Sequence, residues 1–292
     1  MAGQVRQAGT QQVAAPLPLD IPRPATTSSS APLLVALHGW LLSGRLWQPL
    51  AAQLSPRWQL WAPDLPGFGR APRPRGLQPS LASYGRWVAE AVRAELARAE
   101  LAGSQAAGRP VVLLGHSLGA SVAIEAAPHL GSQLQALVAI AAGGGVYQPR
   151  PFQLVRRFGV PMAAAASLWR GERRAATGLL ACSTGRGAVR QLPQRVAALT
   201  VPSLWIAGGR DQVMEERYVR HLAGYSPMHS IGRLPAAGHL PMRSDPAALA
   251  ALIEPWLRDT LAASAPAAGQ GSGSSSLPSI ASPLSWSAAD CA

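Results

Sequence analysis

The chain has 292 residues, enough for one large domain or two small ones, and its 48% hydrophobic and 14% charged residues exclude a chain that is disordered throughout. Its two cysteines, Cys182 and Cys291, are too few for a disulfide framework, and no apolar stretch reaches the roughly 18 residues that a membrane span requires. The formal net charge of +12 comes from arginines without any lysine, scattered and not interleaved with aromatic residues, so we expect no nucleic-acid partner.

Both ends of the chain are predicted to lie outside the folded domain. Residues 1–30 are rich in Gln, Ala, Pro, Thr and Ser, and residues 263–292 are rich in Ala, Gly, Ser and Pro. We expect a disordered N-terminal arm and a disordered C-terminal tail around a single domain at 31–262. The first residues contain no apolar run of signal-peptide length, so we expect a cytoplasmic protein. We also expect a monomer.

Five short apolar runs divide the domain. Runs of this kind are typical of buried parallel strands, because helices cover both faces of such a sheet and leave no polar side. In chain order the predicted strands are 33–37, 58–62, 111–114, 134–141 and 201–207.

Helical segments separate these runs. The first is predicted at 81–101, the second begins just after Ser117 and ends near Pro128, and the third begins at Asp245 and Pro246, which suit a cap and a first turn. Strands that alternate with helices indicate an α/β fold with a doubly wound, mostly parallel sheet. Ligands bind such sheets beyond the carboxyl ends of the strands, where several distinctive residues stand.

Gly115, Ser117 and Gly119 form a Gly-x-Ser-x-Gly pattern between the third predicted strand and the second predicted helix. A sharp turn at this place holds the serine in a strained conformation, and the flanking glycines leave room where side chains would collide. The turn exposes the hydroxyl of Ser117 beside a helix N-terminus, which favours negative charge. The pattern therefore predicts a nucleophilic serine.

A serine hydroxyl attacks poorly until a base removes its proton, so a histidine and an orienting acid are expected downstream. Asp211 follows the fifth predicted strand by one short loop, and His239 precedes the helix that begins at Asp245. The interval between them leaves room for one helix and one strand. The sequence therefore predicts a catalytic triad of Ser117, Asp211 and His239.

The region from about 31 to 260 resembles the α/β-hydrolase superfamily. Four motifs in order carry the resemblance: His-Gly-Trp at 38–40, Asp-Leu-Pro-Gly-Phe-Gly at 64–69, the serine turn, and the Asp/His pair. The resemblance implies the α/β-hydrolase fold with a small helical lid at about 144–198. It also implies an oxyanion hole formed by the backbone N–H groups of Trp40 and Leu118, and no cofactor or metal.

Other polar residues near the predicted site have simpler interpretations. No carboxylate stands after the fourth strand, where some members of the superfamily place the acid, and Glu215 and Glu216 are expected on a solvated helix start. Asp64 is expected to fix a turn through its backbone hydrogen bonds. We expect His38 to orient the oxyanion loop and His116 to pack beside the serine turn, with a direct catalytic role for either left open.

The lid region is strongly basic and contains a single acid, Glu172. A solvated helical surface and a docking face for an acidic carrier protein are both open interpretations. A docking face for an acidic carrier agrees with a weaker similarity of the sequence to the biotin-pathway esterases that demethylate pimeloyl-acyl-carrier-protein methyl ester. Many of those esterases have Ser where Arg70 stands here. The lid arginines are Arg150, Arg156, Arg157, Arg170, Arg173, Arg174, Arg186, Arg190 and Arg195.

The predicted activity is hydrolysis of a carboxylic ester, free or carrier-bound, through an acyl-enzyme. Serine at the nucleophile position argues against dehalogenase and epoxide-hydrolase chemistry, which use aspartate there in this fold. Because the acyl pocket lies among lid residues, a thioesterase, a lipid-ester hydrolase and a C–C bond hydrolase stay open. So does a binding or receptor protein that keeps the triad and releases product slowly or not at all.

Overall fold

A computed structural model of the chain describes residues 31–104, 108–143, 157, 158, 161 and 172–264. The predicted N-terminal arm at 1–30 and most of the predicted lid before 172 lie outside the described residues. The last helix continues to Ser264, past the domain end predicted at 262, and the remainder of the predicted tail also lies outside the description.

The central element is a parallel sheet of six described strands in the order β2-β1-β3-β4-β5-β6. Each of the five predicted strands is present, and β3 extends two residues beyond its predicted end, to His116. The strands are β1 (Leu33–Leu37), β2 (Gln59–Trp61), β3 (Val111–His116), β4 (Leu134–Ile140), β5 (Ser203–Gly208) and β6 (His229–Leu234).

Eight described α-helices accompany the sheet. The helix predicted at 81–101 is confirmed, and the helix after Ser117 passes through Pro128 to Leu130 because packing against the sheet outweighs one missing hydrogen bond. The helices are α1 (Gln48–Ala51), α2 (Leu81–Leu101), α3 (Leu118–Leu130), α4 (Arg173–Thr184), α5 (Arg186–Ala197), α6 (Glu216–Ala223), α7 (Pro241–Ser244) and α8 (Pro246–Ser264).

Side chains at two helix starts satisfy backbone N–H groups that have no partner within the helix. The hydroxyl of Ser80 accepts a hydrogen bond of 3.2 Å from the N–H of Ser83 at the start of α2. The carboxylate of Asp245 accepts one of 3.1 Å from the N–H of Ala248, with Pro246 in the first turn of α8. The start predicted at Asp245 and Pro246 is therefore confirmed.

The core lies on both faces of the sheet. Every residue of β1 and β3 is buried, and because successive side chains of a strand point to opposite faces, helices must cover both. Helix α2 packs against α3, and α1 packs against α8. The doubly wound α/β fold predicted from the sequence is thus confirmed, and the described part of the predicted lid consists of α4 and α5.

None of the described helices combines the length and the hydropathy that crossing a membrane demands.

Candidate active site

The predicted triad residues all follow strands at the carboxyl edge of the sheet; Asp211 and His239 are hydrogen-bonded to each other, whereas the hydroxyl of Ser117 has no hydrogen bond to either within the described residues. Ser117 directly follows β3, Asp211 follows β5, and His239 follows β6. Among the described residues, the non-glycine residues with positive φ also follow strand ends at this edge: Leu41 (57°), Ser117 (52°) and Ala141 (48°). Left-handed backbone is unfavourable for L-residues, so strain is concentrated where ligands bind in sheets of this kind.

Ser117 is the single residue between the end of β3 and the start of α3, and its φ of 52° and ψ of −115° make the turn sharp. Both flanking glycines are required sterically. A Cβ on Gly115 would lie 2.4 Å from Cα of Ala120, and a Cβ on Gly119 would lie 2.2 Å from the carbonyl oxygen of Leu37. The absence of these side chains lets α3 begin against both its own strand and the end of β1.

Asp211 and His239 form a hydrogen bond of 2.8 Å between Oδ2 of the carboxylate and Nδ1 of the imidazole. The other carboxylate oxygen accepts hydrogen bonds from the N–H groups of Val213 at 2.7 Å and Met214 at 2.9 Å. The side chain of Asp211 is fully buried, whereas that of His239 is 21% exposed. This geometry places the hydrogen on Nδ1 of neutral His239 and leaves the lone pair of Nε2 to act as a base.

His116 connects the serine turn with the loop that carries His239. Its Nε2 lies 2.8 Å from the carbonyl oxygen of His239, and the two imidazole rings meet edge to face with centroids 4.8 Å apart. Burial, with a contribution from the neighbouring His239, lowers the pKa of His116 to about 3. The ring is therefore neutral near pH 7 and donates its Nε2 hydrogen to the carbonyl.

The backbone N–H groups of Trp40 and Leu118 have no hydrogen-bond acceptor within the described portion of the chain. They lie on adjoining loops, since α3 begins against the carbonyl oxygens of Leu37 and His38 at the end of β1. Two N–H groups with no acceptor in the described residues, on loops next to a serine hydroxyl, can stabilise a developing oxyanion.

His38 and Asp64 hold together the loops that follow β1 and β2. The buried ring of His38 donates from Nδ1 to the carbonyl of Gly39 at 2.8 Å and accepts at Nε2 from the N–H of Leu65 at 2.9 Å. Burial lowers the pKa of His38, and both nitrogens are engaged, so the ring is not free to act as a base. Asp64 accepts hydrogen bonds from the N–H groups of Gly44 at 2.7 Å and Arg70 at 2.8 Å, which is the turn-fixing interaction expected of it.

The start of α4 is attached to the loop after β2 by contacts that sequence reasoning missed. Arg73 donates to both carboxylate oxygens of Glu172, at 2.7 and 2.9 Å, and the N–H of Glu172 donates to the carbonyl of Gly67 at 2.6 Å. Arg73 holds the pKa of the Glu172 carboxyl below its usual range. The indole of Trp40 donates to the carbonyl of Ala176 at 2.9 Å. Glu172 is the sole acid in a basic segment, which indicated that it should have a basic partner. The sequence did not indicate that this partner is Arg73.

The remaining charged residues singled out by the sequence lie at the surface. Glu216 starts α6 and pairs with Arg220 at 2.9 Å and Arg233 at 2.7 Å, while Glu215 precedes it. Arg157, Arg173, Arg174 and Arg190 are exposed, and Arg195 pairs with Glu125. Arg150, Arg156 and Arg170, and the side chain of Arg186, lie outside the description. Over the described ranges, no three His, Cys, Asp or Glu side chains are grouped to hold a metal ion.

Comparison with known proteins gives a consistent picture. Residues 34–252 match the model of a family described as the alpha/beta hydrolase family. A pimeloyl-[acyl-carrier protein] methyl ester esterase from Xanthomonas axonopodis pv. citri is 31% identical over 245 residues, which cover 72% of this chain and 88% of that protein. A protein of the same name from Aeromonas salmonicida is 35% identical over 111 residues, 38% of either chain.

Solved structures agree with the architecture. A hydrolase from Oleispira antarctica superposes with a TM-score of 0.62 at 16% identity, covering 81% of this chain and 93% of that one. At this identity the likeness concerns the fold alone.

Proposed function

The chain belongs to the alpha/beta hydrolase family, and on that premise we propose that it is a serine hydrolase that cleaves carboxylic esters through Ser117, His239 and Asp211. The observation that carries the proposal is the 2.8 Å hydrogen bond between Asp211 and His239, on a loop tied through His116 to the strained Ser117. A buried acid, an oriented imidazole and a partly buried serine at a sharp turn are the parts that acyl transfer requires.

In the proposed reaction, Nε2 of His239 removes the proton of the Ser117 hydroxyl as its oxygen attacks the ester carbonyl. Asp211 stabilises the imidazolium that forms and keeps Nδ1 as the donor. The N–H groups of Trp40 and Leu118 bind the carbonyl oxygen as it becomes negative. His239 then returns the proton to the leaving alcohol, and water, activated by the same ring, releases the acid and frees Ser117.

For the substrate, we propose the methyl ester of a pimeloyl chain on acyl-carrier protein, the reaction in the names of the two relatives described above. Charge supports a carrier-bound ester. The chain has a net charge of +12, and Arg173, Arg174 and Arg190 are exposed on the two described lid helices. A positive surface next to the site attracts an acidic carrier and orients its approach.

The catalytic part of the proposal is tested with Ser117→Ala. This variant should lose hydrolysis of a short p-nitrophenyl ester down to the uncatalysed background while its circular dichroism spectrum and melting temperature stay close to those of the wild type. Retained turnover would refute the assignment of Ser117. Repeated turnover beyond an initial burst, measured on the wild type, distinguishes an enzyme from a receptor that keeps the triad.

The substrate part is tested with the double variant Arg173→Glu, Arg174→Glu. Its KM for the methyl ester of pimeloyl-acyl-carrier protein should rise, while its KM for the p-nitrophenyl ester stays unchanged, because only the carrier is acidic. Arg57→Glu is the control and is compared with Arg174→Glu alone, so that the change in net charge is equal; Arg57 is exposed just before β2, at the opposite edge of the sheet. Equal effects of the variant and the control on the carrier-bound ester would contradict carrier docking at α4.

A further inference from the structure

His116 occupies a position where the serine turn itself requires no particular side chain. It lies between Gly115 and Ser117, and its imidazole is wholly buried. The carbonyl oxygen of His239 can only accept a hydrogen bond, so Nε2 of His116, 2.8 Å away, carries the hydrogen. The second nitrogen, Nδ1, has no hydrogen-bond partner in the described residues.

If the ring of His116 only filled space, its unpartnered nitrogen would lower the stability of the protein without any compensating gain. A buried polar atom without a partner costs about 1–3 kcal/mol, a cost that an aromatic hydrocarbon side chain of similar shape would avoid. Such a side chain could not donate a hydrogen bond to His239. The one property that distinguishes imidazole from phenyl here is therefore the bond from Nε2 to the His239 carbonyl.

The ring of His116 also contacts two further parts of the site. Its centroid lies 4.8 Å from that of the His239 ring, at an interplanar angle of 60°. On another side it lies against the oxyanion loop, because a Cβ on Gly39 would come within 2.7 Å of Nδ1. One buried side chain thus touches the base and the oxyanion loop while being bonded covalently to the nucleophile.

From these contacts we propose that His116 is a positioning residue, which holds the backbone and the ring of His239 in register with Ser117 and the Gly39–Trp40 loop. The inference rests on the proposed function and extends it by a residue that acts through His239. His116 does not exchange a proton during the reaction, since its ring stays neutral. It limits the rotation of the base, and a misplacement of the order of 1 Å at such a base costs about 10²-fold in rate.

The test compares three substitutions. His116→Phe keeps the ring and removes the donor, and His116→Asn has an amide that is too short to reach the carbonyl. His116→Gln places its amide nitrogen as many bonds from Cβ as Nε2 of histidine. We expect kcat for the p-nitrophenyl ester to fall about 10- to 100-fold in the Phe and Asn variants with KM unchanged, and most of it to return in the Gln variant.

A second readout does not depend on turnover. The low-field proton resonance of His239 Nδ1–H, which reports the hydrogen bond to Asp211, should persist in the wild type and the Gln variant and broaden in the Phe and Asn variants. Wild-type kcat in all three variants would overturn the proposal. So would losses of kcat that follow losses of melting temperature without rescue by Gln.

Failure of the proposed function is recognised separately. If Ser117→Ala remains active, the assignment of the nucleophile falls, while the resonance of His239 still measures whether His116 orders that ring. If Ser117→Ala is inactive and His116→Phe is fully active with a sharp resonance, only the positioning role falls.

Discussion

The indole nitrogen of Trp40 donates a 2.9 Å hydrogen bond to the carbonyl oxygen of Ala176, so a residue of the proposed oxyanion loop is fastened by its side chain to helix α4. The backbone N–H of the same residue is one of the two proposed oxyanion donors. The position of that donor therefore depends on a contact between residues 136 positions apart in the sequence, and Ala176 lies in the first described helix of the predicted lid.

Replacement of Trp40 by Phe should lower kcat/KM for the p-nitrophenyl ester by about tenfold, the value of one hydrogen bond, while the backbone donor remains present. Steady-state kinetics measure the effect. Trp87→Phe is the matched control, because Trp87 is buried in α2 and its indole nitrogen has no partner in the described parts of the protein. A loss of activity of equal size in both variants would argue against a specific role for the contact with Ala176.

Asp211→Asn should lower kcat about 10⁴-fold at pH 7 with little change in KM. The amide can keep the hydrogen bonds from the Val213 and Met214 N–H groups, but it presents a donor to Nδ1 of His239 and favours the wrong tautomer. Glu216→Gln, which alters an acid in surface ion pairs on the next helix, should retain wild-type kcat. Activity of Asp211→Asn within tenfold of the wild type would contradict the assignment of the acid.

Gly119→Ala should lower the free energy of unfolding by about 1–3 kcal/mol and abolish activity, because the added methyl group meets the backbone oxygen of Leu37 at 2.2 Å. Gly187→Ala is the contrasting change. Gly187 lies in α5 with no atom within 4 Å of an added Cβ, so alanine there should stabilise the helix by up to about 1 kcal/mol. Denaturant unfolding curves measure both values, and equal stabilities would contradict the close contact at the serine turn.

The stability of the protein should depend on pH through His116. Its pKa in the folded protein, about 3, lies below the ordinary 6.5. As the pH falls below 6.5, His116 therefore binds a proton in the unfolded chain but stays neutral in the folded protein. The contribution of His116 to stability is complete above pH 6.5 and is lost at about 1.4 kcal/mol per pH unit below it, until the pH nears 3. Burial also lowers the pKa values of His38 and His229, which add to the pH dependence in the same range in both the wild type and a His116 variant.

Denaturant titrations of the wild type and His116→Phe measure this contribution. The slope of unfolding free energy against pH between 6.5 and 4.5 should be smaller in the variant by the equivalent of one proton. The lowered pKa values of Glu172 and Glu216 act below that range in both proteins. Identical slopes would contradict the prediction, because they would mean that His116 binds a proton equally tightly in the folded and the unfolded chain.

The sequence was informative where structure follows from local pattern. Continuous apolar runs identified β1 and β3 because both faces of these strands are buried, and the Gly-x-Ser-x-Gly spacing located Ser117 because the glycines serve the turn itself. Strand β6 gave no such run. It is one of the two edge strands of the described sheet, and Ile231 and Arg233 are exposed, so its position could be expected only from the room left between Asp211 and His239.

Contacts between distant residues left no local signal. The pairing of Arg73 with Glu172 and the bond from Trp40 to Ala176 depend on how α4 is placed on the loops of the sheet. The bond from His116 to His239 depends likewise on the approach of two loops, and the sequence around each histidine gives no sign of a bond between them. Roles for single residues could be predicted, whereas the connections that orient them required coordinates.

The left-handed conformations of Leu41, Ser117 and Ala141 bear on attempts to make the protein more heat-resistant. Each such conformation costs of order 1 kcal/mol in a non-glycine residue, so glycine at 41 or 141 is an obvious stabilising substitution on backbone grounds. Glycine would also give more conformational freedom to the loops that shape the rim, and catalysis requires those loops to hold a fixed geometry. A thermostability programme therefore does better to begin on the far side of the sheet and leave this rim as it is.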